Sequence, residues 1–123
     1  MPRISATLAL ASTTYKAIRP QNGDSPASFR EVSTTKALTN LEMINIGVSQ
    51  TMTNQRAYYR TKVSIVMPRH DSEGQLLPSD RFDLTGRLSS ELTEADITAL
   101  QNKLSLFVLS NEFKAALAGD AQF

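Results

Sequence analysis

The chain of 123 residues contains no cysteine and no tryptophan, and its one histidine is His70. Without cysteine it forms no disulfide and offers no thiol as nucleophile or soft metal ligand. A single histidine among scattered carboxylates does not make a zinc site, so neither a metal nor a cofactor is expected. His70 stands beside Asp71, but adjacent residues are poorly placed for a proton relay, and the plain reading is a solvated loop histidine. Asp80 and Asp83, three apart near a strand start, do not share a face and give no general acid–base pair. The five glycines are dispersed and no GxxxxGK phosphate loop occurs. An enzyme with a small-molecule substrate is therefore not expected. Long apolar runs are missing too. The start, MPRISATLALAS, is too short an apolar stretch for a secretion signal, and no later run approaches the roughly 18 apolar residues of a membrane span. A soluble compartment, with no membrane partner, is the expectation.

Net charge is also small, at +1, but it is unevenly placed. Residues 1–70 carry nine Lys or Arg against three acids, whereas residues 71–123 carry four against nine. Between Ile44 and Pro68 there are three cations, Arg56, Arg60 and Lys62, and no acid at all. Such a division gives the surface a basic and an acidic region.

Alternation is plainest in that basic stretch. Ile44, Ile46 and Val48 alternate with Asn45, Gly47 and Ser49. After the polar bend QTMTNQRA, Thr61, Val63, Ile65 and Met67 alternate with Arg60, Lys62, Ser64 and Val66. Pro68 lacks an amide donor and is expected to end this strand. RFDLTGRL sets Phe82, Leu84 and Leu88 against Arg81, Asp83, Thr85 and Arg87, and the intervening RHDSEGQLLPSD reads as a polar loop. Nearer the start, ATLALAS and TTYKAIRP are strand-length, RPQNGDSPAS has turn composition, SFREVST reads as another strand, and TKALTNLE is left unassigned. The tail changes period. Thr93 is a fitting N-cap with Asp96 three residues on, and Ile97, Leu100, Leu104 and Val108 recur at helical steps to about residue 109. Ser110 or Asn111 caps a second helix carrying Phe113 and Leu117, which Gly119 stops.

Two short helices must cover a sheet with one apolar face. Their area is small for the task, so either a second subunit lends its helices or these pack on their own sheet. If these three strands neighbour one another, the opposite sheet face gathers Arg60, Lys62 and Ser64, flanked by Asn45, Gly47 and Ser49 on one side and Arg81, Asp83, Thr85 and Arg87 on the other. Cations for phosphates and short polar groups for bases or sugars suit single-stranded RNA, with one ring of Tyr58–Tyr59 free to stack. The plainer reading is the polar outer face that any open antiparallel sheet has.

Two long stretches, INIGVSQTMTNQRAYYRTKVSIVMP and FDLTGRLSSELTEADITALQNKLSLFVLSNEFKAAL, resemble the coat (capsid) proteins of single-stranded RNA bacteriophages, the levivirus-like family. The resemblance lies in a strand ending in Val-Ser-Gln, an Asn/Arg-rich turn, a Tyr followed by a strand closed by Pro, and then a last strand, an acidic helix start and paired helices. YKAIRPQNG is similar to part of that family's first hairpin. The resemblance implies one α+β coat-protein domain over residues 1–123: an N-terminal β-hairpin (about 5–30), a five-stranded antiparallel sheet (31–90) and two C-terminal α-helices (94–118). Two copies interlock in such a fold as a homodimer with a ten-stranded sheet, each helix pair crossing to its partner, which places Ile97, Leu100, Leu104, Val108 and Phe113 in a dimer core. Function follows by the same resemblance: a structural protein of the virion, assembled in the bacterial host cytoplasm as an icosahedral T=3 capsid around genomic single-stranded RNA. Its inner sheet face binds an RNA hairpin, repressing translation and directing packaging. The family's hairpin-binding positions fall on Met43, Asn45, Gly47 and Ser49, on Arg60, Lys62 and Ser64, and on Arg81 and Asp83. Met43 stands where the family usually has a basic residue, Asn45 and Gly47 where it has hydroxyls, and Arg81 where an aromatic ring is common. The alternative on the same residues is a free-standing RNA-binding repressor that forms no shell.

Overall fold

The computed structural model describes residues 7–10, 13–23, 25–36, 40–53 and 56–119. The chain divides into two compact units, Met1–Ser90 and Glu91–Phe123. The first is a single antiparallel sheet whose six strands follow in chain order: β1 (Thr7–Leu10), β2 (Thr13–Arg19), β3 (Ala27–Glu31), β4 (Met43–Thr53), β5 (Arg56–His70) and β6 (Leu76–Ser89). The second consists of helices α1 (Glu94–Val108) and α2 (Asn111–Leu117). The α+β class and the order of strands before helices are as the sequence predicts.

The first hairpin is not separate from the sheet. β2 pairs with β3 through Tyr15↔Glu31, Lys16↔Arg30 and Ala17↔Phe29, so the expected hairpin and five strands are instead six strands of one ladder. Alternation explains the joining: Tyr15, Ala27, Phe29 and Ile44 are buried together on one face, with Leu8, Ile46, Val63 and Ile65 packed against them. Phe29 is the centre of this core, only 1% exposed. Tyr15 donates its phenol to Glu42 Oε2 at 2.6 Å, and burial first, then that carboxylate, push the phenol above its ordinary range. Glu31 accepts from Lys36 Nζ at 2.8 Å and from the Glu42 amide at 3.1 Å. These contacts, that of Lys36 foremost, hold its carboxyl below the usual range and tie both ends of the β3–β4 connection to β3. Of the unassigned TKALTNLE, residues 37–39 lie outside the described residues.

The central strands run further than alternation alone indicates. Most of QTMTNQRA lies within the ladder, which holds its register to Thr53↔Arg56, and residues 54–55 lie outside the described residues. Pro68 does not end β5. Pairing breaks between Met67 and Arg69 and resumes at Arg69↔Leu77 and His70↔Leu76. Pro68 on one strand and Pro78 on the other both fall in this break, where neither is asked for a ladder donor. The predicted loop RHDSEGQLLPSD therefore shrinks to residues 71–75, and His70 is a strand residue. Asp71 Oδ1 accepts the amides of Glu73 at 2.9 Å and Gln75 at 2.8 Å, while Gly74 supplies the positive φ of 82°.

The helical unit follows its caps. Asp96 donates its amide to Thr93 Oγ1 at 3.2 Å and accepts the Thr93 amide at 3.1 Å, a reciprocal capping box. Ser110 caps α2, accepting the Phe113 amide at 3.2 Å, and Gly119 closes it with φ of 88°. The Phe107 and Phe113 rings meet edge to face, 5.5 Å apart. No residue of either helix is buried in the single chain: Ile97 is 50% and Leu104 47% exposed.

Candidate nucleic-acid interface

Register decides which side chains share the sheet's polar face. Gly47 lies opposite Lys62, which lies opposite Thr85; Ser49 faces Arg60, which faces Arg87; Asn45 faces Ser64, which faces Asp83. Arg81, opposite Val66, joins the same face. The structure thus brings together all ten residues that the sequence assigns to RNA contact. Of the tyrosine pair, Tyr58 is on this face and Tyr59 on the other, since Tyr58 lies two residues from Arg60 and Tyr59 pairs with Leu88. Arg87 lays its guanidinium over the Tyr58 ring, 4.2 Å from the centroid.

The face is wider than the sequence reading has it. Lys16 and Arg30 oppose each other across β2 and β3, and Arg19 comes to the same side opposite Ser28. Lys16 and Arg30 could have been found by continuing the alternation away from Tyr15 and Phe29. Arg19 could not, because a register shift between Ala17 and Arg19 reverses its side. Asp83 is the one strand acid on this face among the described residues, and it is neutralised locally. Arg81 Nε donates to Asp83 Oδ1 at 3.0 Å and Arg81 Nη2 donates to Ser64 Oγ at 3.2 Å. Ser64 in turn donates to Asp83. That hydroxyl first, then Arg81, holds the Asp83 carboxyl below the usual range, so it remains an anion throughout neutral pH. Arg81 is thereby engaged in the sheet and is less available as the stacking group that the resemblance implies.

Like charges remain. Arg60 stands directly opposite Arg87, and Lys16 directly opposite Arg30, with no carboxylate within ion-pair distance among the described residues. Directly opposed like charges destabilise a sheet. An arrangement of this kind is relieved by a polyanion laid across it.

A groove of about 440 Å³ opens on the face, lined by Gly47 and Pro26 together with Asn45, Arg60, Lys62 and Arg81. The β2–β3 loop is held over it by Gln21, whose amide accepts the Val48 N–H at 3.0 Å and donates to the Val48 carbonyl at 2.5 Å. The side chain thus continues the β3–β4 ladder beyond Ala27↔Ile46. A Cβ on Gly47 would stand 3.4 Å from the Pro26 Cβ, which is contact rather than overlap. Gly47→Ala is therefore expected to fold with unchanged or slightly higher stability, up to about 1 kcal/mol, while narrowing the groove. Thermal melting should show no loss, and RNA affinity measured in parallel should fall.

Among the described residues no three His, Cys, Asp or Glu side chains gather as a metal site, and no helix is long and apolar enough to cross a membrane. No family model matches the sequence, and no curated protein does. Solved structures do match. The chain superimposes on a protein of the virus-like particle of Beihai levi-like virus 21 with a TM-score of 0.81 at 13% identity, covering 99% of each chain. For the virus-like particle of bacteriophage ESE058 the TM-score is 0.72 at 15% identity, over 98% of this chain and 99% of that one. The bacteriophage EMS014 coat protein matches with a TM-score of 0.63 at 17% identity, over 84% of this chain and 72% of that one. From first strand to last helix, this chain has the coat-protein fold of the levivirus-like phages.

Proposed function

We propose that the chain is a phage coat protein whose dimers assemble into an icosahedral shell around single-stranded RNA, bound on the sheet's basic face. The observation that carries the RNA reading is the two pairs of opposed cations, Arg60 against Arg87 and Lys16 against Arg30. End-to-end likeness to proteins of virus-like particles supports the shell. Dimer formation is supported by two further features. β6 runs for 14 residues with β5 as its only neighbouring strand among the described residues, leaving an edge on which a second copy can pair. α1 and α2 present leucine, isoleucine and phenylalanine side chains that the single chain does not bury. Copies joined at β6 would make one sheet of two six-stranded halves, in place of the ten strands expected. Recognition of a particular RNA hairpin, with repression and packaging, belongs to the same face.

Expression in a bacterial host followed by electron microscopy tests the shell. Closed particles of uniform size holding nuclease-protected RNA are the expected result; free dimers that bind RNA identify the shell-less repressor instead. The face is tested by Arg60→Ala combined with Lys16→Ala, one cation from each opposed pair. Each phosphate contact on a single strand contributes about 0.7 to the slope of log affinity against log salt, so the double variant should flatten it by about 1.4. Dimerisation should be unaltered, and an unchanged slope would place the RNA elsewhere.

A further inference from the structure

One row of side chains crosses five strands of the polar face: Arg19, Ser28, Asn45, Ser64 and Asp83, each opposite the next. The hydrogen bonds along it have a fixed direction. Arg19 only donates, so Ser28 Oγ accepts from Arg19 Nη2 at 3.0 Å and must send its single proton onward. That proton goes to Asn45 Oδ1 at 2.7 Å. Ser28 is 1% exposed, which leaves it no water to use instead. Asn45 consequently has its carbonyl occupied and its NH₂ turned to the groove, without a partner among the described residues. Across the groove the same logic runs from Arg81 through Ser64, 2% exposed, to Asp83. Ser64 has spent its one proton on Asp83, and Gln21 spends both ends of its amide on backbone. What the groove holds ready is then the Asn45 amide and the cations Lys62 and Arg60, with no charged or amide acceptor left over; the Ser49 and Thr85 hydroxyls can serve either way.

Resting on the RNA-binding reading above, we infer that the Arg19–Ser28 relay makes Asn45 an obligate donor, so that the groove selects a base with adjacent acceptors, guanine through O6 and N7, over adenine, whose N6 amine would meet donors. Lys62, diagonal to Asn45 across β4 and β5, reaches the second acceptor over Gly47, which leaves that space open. Ser28 and Arg19 are positioning residues in this scheme, and Asn45 and Lys62 make the contacts.

The test uses the purified protein and fluorescently labelled, unstructured RNA oligomers that differ at one central base, read by anisotropy at fixed salt. Guanine should bind about ten-fold or more tightly than adenine, within the range of one good paired contact. Inosine, which keeps O6 and N7, should match guanine, and 7-deazaguanine should fall toward adenine. Ser28→Ala frees the Asn45 amide to turn, and should reduce the guanine preference to less than two-fold, with adenine binding equal to or tighter than in the parent and the salt dependence unchanged. Asn45→Asp, which replaces the donor by an acceptor of the same shape, should reverse the order of guanine and adenine. Equal affinities for all bases in the parent, or a guanine preference that survives Ser28→Ala in a variant shown to be folded, would overturn the inference and leave the RNA face standing. Failure of every oligomer to bind at low salt would remove both.

Discussion

Phe29→Ala is expected to lower the stability of the sheet by about 3–5 kcal/mol, the usual loss for emptying a buried aromatic site. Phe29 is 1% exposed and sits among Tyr15, Ala27 and Ile44, the other buried apolar residues among those described. With so few buried residues there is little to collapse into the vacated space. Domains of this size are stable by about 5–15 kcal/mol in all, so the variant should populate unfolded chain measurably or be recovered only within assemblies. Denaturant unfolding of the dissociated protein measures it. Ile18→Ala provides the comparison: Ile18 is 47% exposed at the β2 irregularity and should change stability by no more than about 0.5 kcal/mol. Equal losses at the two positions would show that Phe29 is not the centre of the core.

Leu104→Asp should abolish assembly. Leu104 is 47% exposed in the single chain, on the α1 stripe with Ile97, Leu100 and Val108. In a chain that stays alone, an aspartate there meets water and costs little. In the proposed dimer the stripe is covered, and replacing the leucine loses its packing, about 2–5 kcal/mol for truncation alone, and adds an unpaired carboxylate without solvent. Each dimer contains the change twice. Sedimentation should show monomers and no particles, with the helix signal in circular dichroism retained because the Thr93 and Ser110 caps are untouched. Particles of parental size and yield would exclude this stripe from the subunit contact.

Much of this was legible in the sequence because it depends on local rules. Thr93 with Asp96 announces a helix start regardless of context, and Gly119 announces a stop, since both act within one turn of backbone. Strict alternation from Ile44 to Ser49 and from Arg60 to Met67 fixes which residues share a face once they are strands. Sequence and structure differ where polar composition suggests the end of a strand. Gln50–Thr53 and Leu76–Asp80 are strand despite their polar and proline-containing composition, because a partner strand satisfies their backbone whatever the side chains. Pro68 and Pro78 misled for a related reason: each alone is a strand terminator, but together in one break in the pairing they are harmless.

By itself, then, the amino-acid order determined the elements, their apolar and charged faces and the likeness of pattern to a phage coat protein, all properties of residues close along the chain. Only the tertiary structure decided that Arg60 meets Arg87, that Lys16 and Arg30 widen the basic face, and that Arg19 and Ser28 govern the orientation of Asn45. Those are relations between strands, set by register and by the shift that reverses Arg19, and no local spacing encodes which residue will stand across from which.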